Sequence, residues 1–131
     1  MPFLLDTDTC IYAIKKRGAV VDTILARSLD EIAISVITEA ELRTGAVKSE
    51  WPMKNLLQIE NFLRPFTILD FTSHDTIAYA QIRAKLERAG TPIGPYDTMI
   101  AAQAVAHDLT LVTNNEREFR RVPGLSVENW L

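Results

Sequence analysis

The chain alternates short apolar runs with longer stretches in which apolar residues recur every three or four positions. Phe3-Leu4-Leu5 is a compact apolar run ending in an acid and reads as a buried strand. Residues 32–37 (IAISVI) are rich in β-branched side chains and predict a second strand. Residues 66–71 (FTILDF) predict a third, 109–113 (LTLVT) a fourth and 126–130 a fifth. Helical periods fill the gaps. Residues 9–16 and 19–29 form two such stretches, parted by Arg17-Gly18. A third opens at Thr38, where T-E-A-E has the form of a capping box closed by Glu41, and runs to about Lys48. Pro52 suits the first turn of a helix over 52–63. Residues 73–89 predict a long amphipathic helix whose apolar side draws on Ile77, Ala80, Ile82, Ala84 and Leu86. Residues 96–107 are alanine-rich and apolar on nearly all sides, which marks a central helix that neighbours approach closely.

Short apolar strands separated by helices predict an α/β fold, with a central, mostly parallel sheet of four to five strands flanked by helices. Residues 1–131 read as a single domain, long enough to bury one core without disulfides. Sites in such sheets lie beyond the carboxyl ends of the strands. Two predicted strands end there in polar clusters: DTD (Asp6, Thr7, Asp8) and TNN (Thr113, Asn114, Asn115).

Composition narrows the chemistry. A hydrophobic share of 47% with 24% charged residues is that of a globular chain rather than a disordered one. No apolar run approaches the ~20 residues that span a bilayer. An acid at position 6 interrupts any signal-peptide core, so a cytoplasmic protein with no membrane partner is expected. Cys10 is the only cysteine and lies in the apolar stretch CIYAI, where a buried thiol is expected. Two scattered histidines and one cysteine make no zinc site. The net charge of −3 argues against nonspecific coating of nucleic acid. It leaves room for a local basic patch, for which Lys15, Arg43, Arg83, Lys85 and Arg117 are the candidates.

Three acids lie on otherwise apolar elements, and each alone has an ordinary explanation. Asp6 suits a turn or a helix cap, and Glu41 a capping box. Asp97 suits the first turn of a helix, where a carboxylate complements the dipole. Jointly, one acid at a strand end and two near helix starts project toward the same edge of a parallel sheet. Three carboxylates gathered there repel one another unless protons or a cation intervene. An all-oxygen set without His or Cys selects Mg²⁺ or Mn²⁺ over zinc. Such ions activate water and polarise phosphoryl oxygens, the needs of phosphodiester hydrolysis.

Four stretches in order, LLDTDTCIY, ISVITEAELRTGA, GTPIGPYDTMIAAQA and LVTNNEREFRRVPGL followed by VENWL, carry a resemblance across essentially the whole chain. The sequence resembles PIN-domain ribonucleases, specifically the VapC toxins of bacterial toxin–antitoxin pairs. That resemblance implies a PIN-like fold and an endoribonuclease dependent on Mg²⁺ or Mn²⁺. Its catalytic and metal-binding acids carry over as Asp6 on the DTD motif, Glu41 on ELxxG and Asp97 on PYD, with Glu41 either binding the ion or orienting water. A fourth polar position is implied within TNNxREF, where Asn115 and Glu118 are both candidates. Thr113 and Asn115 are expected to hydrogen-bond the carboxylates or a substrate phosphate.

The resemblance further implies an RNA substrate, with tRNA cut in its anticodon loop as the leading expectation. It implies a VapB-like antitoxin whose tail covers the acids, and a homodimer. Trp51, Met53 and Leu56 are expected in the chain's own core, with a role in either contact as the alternative. Asparagine stands where other PIN proteins carry aspartate after the threonine, and Asp8 stands where many relatives have Asn. The asparagines also suit a catalytically weakened PIN fold kept as an RNA- or partner-binding module. A receiver domain or an aspartyl phosphatase shares the layout, and Asp70 suits the former, but no lysine follows Lys85 to serve either.

Overall fold

The computed structural model describes residues 2–131. Strands β1 (Phe3–Leu5), β2 (Ile32–Ser35), β3 (Thr67–Leu69), β4 (Thr110–Val112) and β5 (Val127–Glu128) form one sheet in the order β3-β2-β1-β4-β5. Every pairing is parallel, and Leu4 of β1 stands opposite Ala33 on one side and Leu111 on the other. The two strands that open the chain are buried along their whole length. Continuous apolar runs, rather than alternation, are what a parallel sheet covered on both faces requires. The helices are α1 (Thr7–Ile14), α2 (Val20–Leu25), α3 (Val36–Val47), α4 (Pro52–Leu63), α5 (Asp75–Arg88), α6 (Pro95–Ala106) and the short α7 (Glu116–Phe119).

Neighbouring side chains of a strand point to opposite faces, and β1 therefore feeds two cores. Phe3 and Leu5 pack with Ile32, Ile34, Cys10, Val20, Leu42 and Ile59, under α1 to α4. Leu4 and Ala33 pack with Leu111, Ile82, Leu86 and Ile100, under α5 and α6. The alanines at 101, 102 and 104 are buried against the second face, as expected of the central helix. Cys10 is fully buried as well.

Three expectations are corrected. Helix α3 opens at Val36, two residues before Thr38, because Ser35 at the end of β2 is its N-cap and its Oγ accepts from the Ile37 N–H at 3.0 Å. Thr38 is therefore buried inside the first turn and Glu41 lies in the second, so no capping box joins them. Along α5 the inward stripe is set by Ile82 and Leu86, four residues apart, which leaves Ile77 on the outer side at 59% exposure. Trp51 and Met53 are 64% and 86% exposed rather than in the core, while Leu56 is half-buried. Among the described residues no helix is long and apolar enough to cross a membrane.

Candidate active site

The carboxyl ends of β1, β2 and β4, the three central strands, converge on one place. Asp6 follows β1 directly and caps α1, its Oδ1 accepting from the Thr9 N–H at 2.8 Å. Its Oδ2 accepts from the Thr113 hydroxyl, just past β4, at 2.5 Å. The Asp6 backbone N–H donates to the Val112 carbonyl at 3.0 Å. Both carboxyl oxygens are thus held, and the residue is only 3% exposed. Burial pushes its carboxyl up to about 6; the bonds from Thr113 and Thr9 oppose the rise, and the charge of Asp8 adds to it.

Glu41 reaches the same edge from α3. The Thr7 hydroxyl donates to Glu41 Oε1 at 2.7 Å and lies 3.1 Å from the Thr38 hydroxyl. A hydroxyl has one proton to donate, so with Thr7 bonded to Glu41 the Thr38 hydroxyl supplies the other bond. One residue after Asp6, Thr7 thereby sets the position of the second acid.

Asp97 is the third residue of α6, and it does not cap that helix. Gly94 is the N-cap, no side chain makes a capping bond there, and Pro95 fixes the first turn. The opening is secured instead by Thr98, whose hydroxyl bonds the Gly94 carbonyl at 2.9 Å. The Asp97 carboxyl is left to face the site, half-buried, and is pushed up to about 6. Burial is the largest cause; the charges of Asp6, Glu41, Asp8 and Glu118 follow in that order. Five carboxylates therefore share one electrostatic field.

The two fourth-position candidates separate by geometry. The Asn115 N–H donates to Thr113 Oγ at 2.9 Å, and its side-chain Nδ2 donates to Glu118 Oε2 at 2.8 Å. Glu118 brings charge to Asp97, and Asn115 holds Glu118 in place. The basic candidates separate too. Lys15 borders the clefts on both sides of α1. Arg43 is taken up by Glu39 at 2.7 Å and Glu60 at 2.6 Å. Arg83 bonds Tyr79 at 2.9 Å and pairs with Glu87 at 3.4 Å along α5. Lys85 lies on the same helix, beside Pro123, and Arg117 is exposed on α7.

The donor set fits a hard divalent cation: it is all oxygen, and among the described residues none of Asp6, Glu41 or Asp97 has an ion-pair partner. Among the described residues no three His, Cys, Asp or Glu side chains are drawn together as a formed metal-holding group. Sequence reading missed several supporting residues. Thr7, Ser35 and Thr38 lie within the quoted motifs, but Thr7 reads as one of a strand-end polar cluster, Ser35 as a strand residue and Thr38 as a helix cap. Gln103 had a usable signal, a lone amide in the otherwise apolar AAQAVA, and is fully buried.

Acids at the ends of the central strands of an all-parallel sheet lie where such folds place their sites, and a divalent cation held there can serve phosphodiester hydrolysis. Residues 3–125 match the family model described as PIN domain. A tRNA(fMet)-specific endonuclease VapC of Salmonella typhimurium is 44% identical over 130 residues, covering 99% of this chain and 98% of that one. Ribonuclease VapC2 of Haemophilus influenzae is 41% identical over 131 residues, covering 100% and 99%. The crystal structure of VapBC2 from Rickettsia felis bound to a promoter DNA fragment superposes with a TM-score of 0.92 at 40% identity, covering 100% of both chains. This chain belongs to the PIN-domain family and, within it, to the VapC ribonucleases of toxin–antitoxin systems.

Proposed function

We propose that this chain is the toxin of a VapBC pair and hydrolyses RNA phosphodiester bonds at Asp6, Glu41 and Asp97, with Mg²⁺ or Mn²⁺ held mainly by Asp6 and Asp97. The carrying observation is the shared field of carboxylates at the strand ends, with Asp6 and Asp97 both pushed up to about 6. When bound, the cation supplies a polarised phosphoryl oxygen and a more acidic water. The chain's own residues do the positioning. Thr9 and Thr113 fix the two oxygens of Asp6, and Thr7 orients Glu41. Glu41 takes a proton from the attacking water as the water oxygen bonds to phosphorus; the ester P–O bond breaks, its electron pair leaves on the sugar oxygen, and that oxygen takes a proton from solvent water.

The specificity in the name of the Salmonella relative makes tRNA the leading substrate, and the chain then works in the cytoplasm where tRNA is found. The partner is a VapB antitoxin. An apolar groove of about 340 Å³ between α1, α3 and α4, lined by Ile11, Leu42, Ala46 and Ile59, ends at Glu41 and gives its tail a path to the acids. An arginine delivered along it would pair with the carboxylates and compete with the cation.

The test is to sequence RNA 5′ ends after brief induction of this chain and of its Asp6→Ala variant. A small set of cut sites, absent in the variant and abolished by EDTA in the purified reaction, is the expected result. Cleavage that survives chelation overturns the mechanism.

A further inference from the structure

We infer that the cleft beside the carboxylates is a base-reading subsite in which Asn114 hydrogen-bonds one unstacked RNA base next to the cut phosphate. The inference rests on the ribonuclease reading and deepens it. The cleft encloses about 390 Å³ and is lined by Asp8, Tyr12, Lys15, Arg17, Asn114 and Asn115. That volume lies in the range of small-ligand sites. It opens beside the acids, since Asn114 follows Thr113, whose hydroxyl holds Asp6.

Asn114 is the second observation. Its Nδ2 and Oδ1 are both buried and neither has a hydrogen-bond partner. Buried polar atoms left unpaired are uncommon because each carries an uncompensated desolvation cost. A turn of the side chain into the adjoining cleft lets a ligand relieve that cost. An amide presents a donor and an acceptor side by side, the complement of a base edge with one of each. Adenine offers N6–H and N7 in this pattern. The other walls suit the remaining parts of a nucleotide. Tyr12 supplies an aromatic face for stacking, the usual means of holding an unpaired base. Lys15 and Arg17 enter no ion pair among the described residues and are free to meet phosphates.

The experiment separates base reading from cutting. Short single-stranded RNAs differing at one base are titrated onto Asp97→Asn chain, onto Asp97→Asn with Asn114→Ala, and onto Asp97→Asn with Asn114→Asp. The expected result is a preference of about tenfold among the four bases at one position, lost with Asn114→Ala. Asn114→Asp, nearly the same size but accepting only, shifts the preference toward guanine, whose Watson–Crick edge places two donors together. The same preference in all three proteins, or none in the first, overturns the subsite. So does a weakened VapB complex in Asn114→Ala with base preference intact, which assigns the cleft to the antitoxin. Failure of the Asp97-intact chain to cut RNA, with the Asn114-dependent preference present, removes the nuclease reading and leaves the subsite standing.

Discussion

The Ser35 hydroxyl donates to Oε1 of Gln103 at 2.5 Å, with both residues fully buried and 68 positions apart in the chain. Ser35 caps α3, which carries Glu41, and Gln103 lies in α6, which carries Asp97. One bond therefore sets the spacing between two of the three acids. Gln103 Nε2 completes the junction by donating to the Leu69 and Asp70 carbonyls, each at 3.1 Å.

Replacing that amide takes away the acceptor of the buried Ser35 hydroxyl proton and the donor to two part-buried carbonyls. Gln103→Leu should lower unfolding stability by roughly 2–4 kcal/mol, since each orphaned buried group costs about 1–3 kcal/mol. Urea denaturation measures it. Cleavage should fall as well, because α3 and α6 lose their common anchor. A variant as stable and as active as the parent removes the role given to this bond.

Asp97→Asn should fold and lose cleavage. The helix opening does not depend on the side chain at 97, since Gly94, Pro95 and Thr98 form it. Removing one of several crowded negative charges also relieves repulsion, so Tm should match or exceed that of the parent. Circular dichroism melts and an RNA cleavage assay read the two effects separately. Full cleavage by that variant would return Asp97 to a purely structural part.

The sheet was legible because β1 is wholly apolar and β2 and β4 each carry one polar residue at an end of an otherwise apolar run, and such runs need both faces covered. The acids were legible because each interrupts an apolar element. Asp97 does lie in the first turn expected of it, but the cap itself is Gly94, which the sequence does not signal because a glycine before proline offers no polar side chain. Helix α3 was placed two residues late for the related reason that Ser35 looked like the interior of a strand. The Thr7–Glu41 and Ser35–Gln103 bonds join residues 34 and 68 positions apart, and no local pattern encodes such pairings. Asn115 and Glu118 became distinguishable only once α7 set one to hold the other.

Thr113→Val should move the acid limb of the pH–rate profile upward. The Thr113 hydroxyl stabilises ionised Asp6 and so lowers its pKa; removing it leaves burial less opposed. A profile that keeps its acid limb would show that Asp6 is not the group being titrated.

Stability without added divalent ions should decline as pH rises from about 4.5 to 7.5. Asp6 and Asp97 are pushed from 3.8 up to about 6 in the folded chain. A folded state that binds protons more tightly than the unfolded one is favoured at the low end of that window and loses the advantage as pH passes about 6. Asp30 and Glu116 shift the other way, but at solvent-screened positions where the effect is small. Adding Mg²⁺ or Mn²⁺ should raise Tm at pH 7.5 and do little at pH 4.5. A Tm that climbs steadily across the window without metal contradicts the folded-state shifts.

The strand that opens the chain takes one of its two neighbours from residues 110–112, and Asp6 depends on a hydroxyl 107 positions away. Pairings over such separations form late, because a long loop must close before they repay its entropy. On the ribosome, the cutting centre stays unbuilt until β4 and Thr113 have emerged. A nascent copy that has not yet delivered that strand holds no assembled centre.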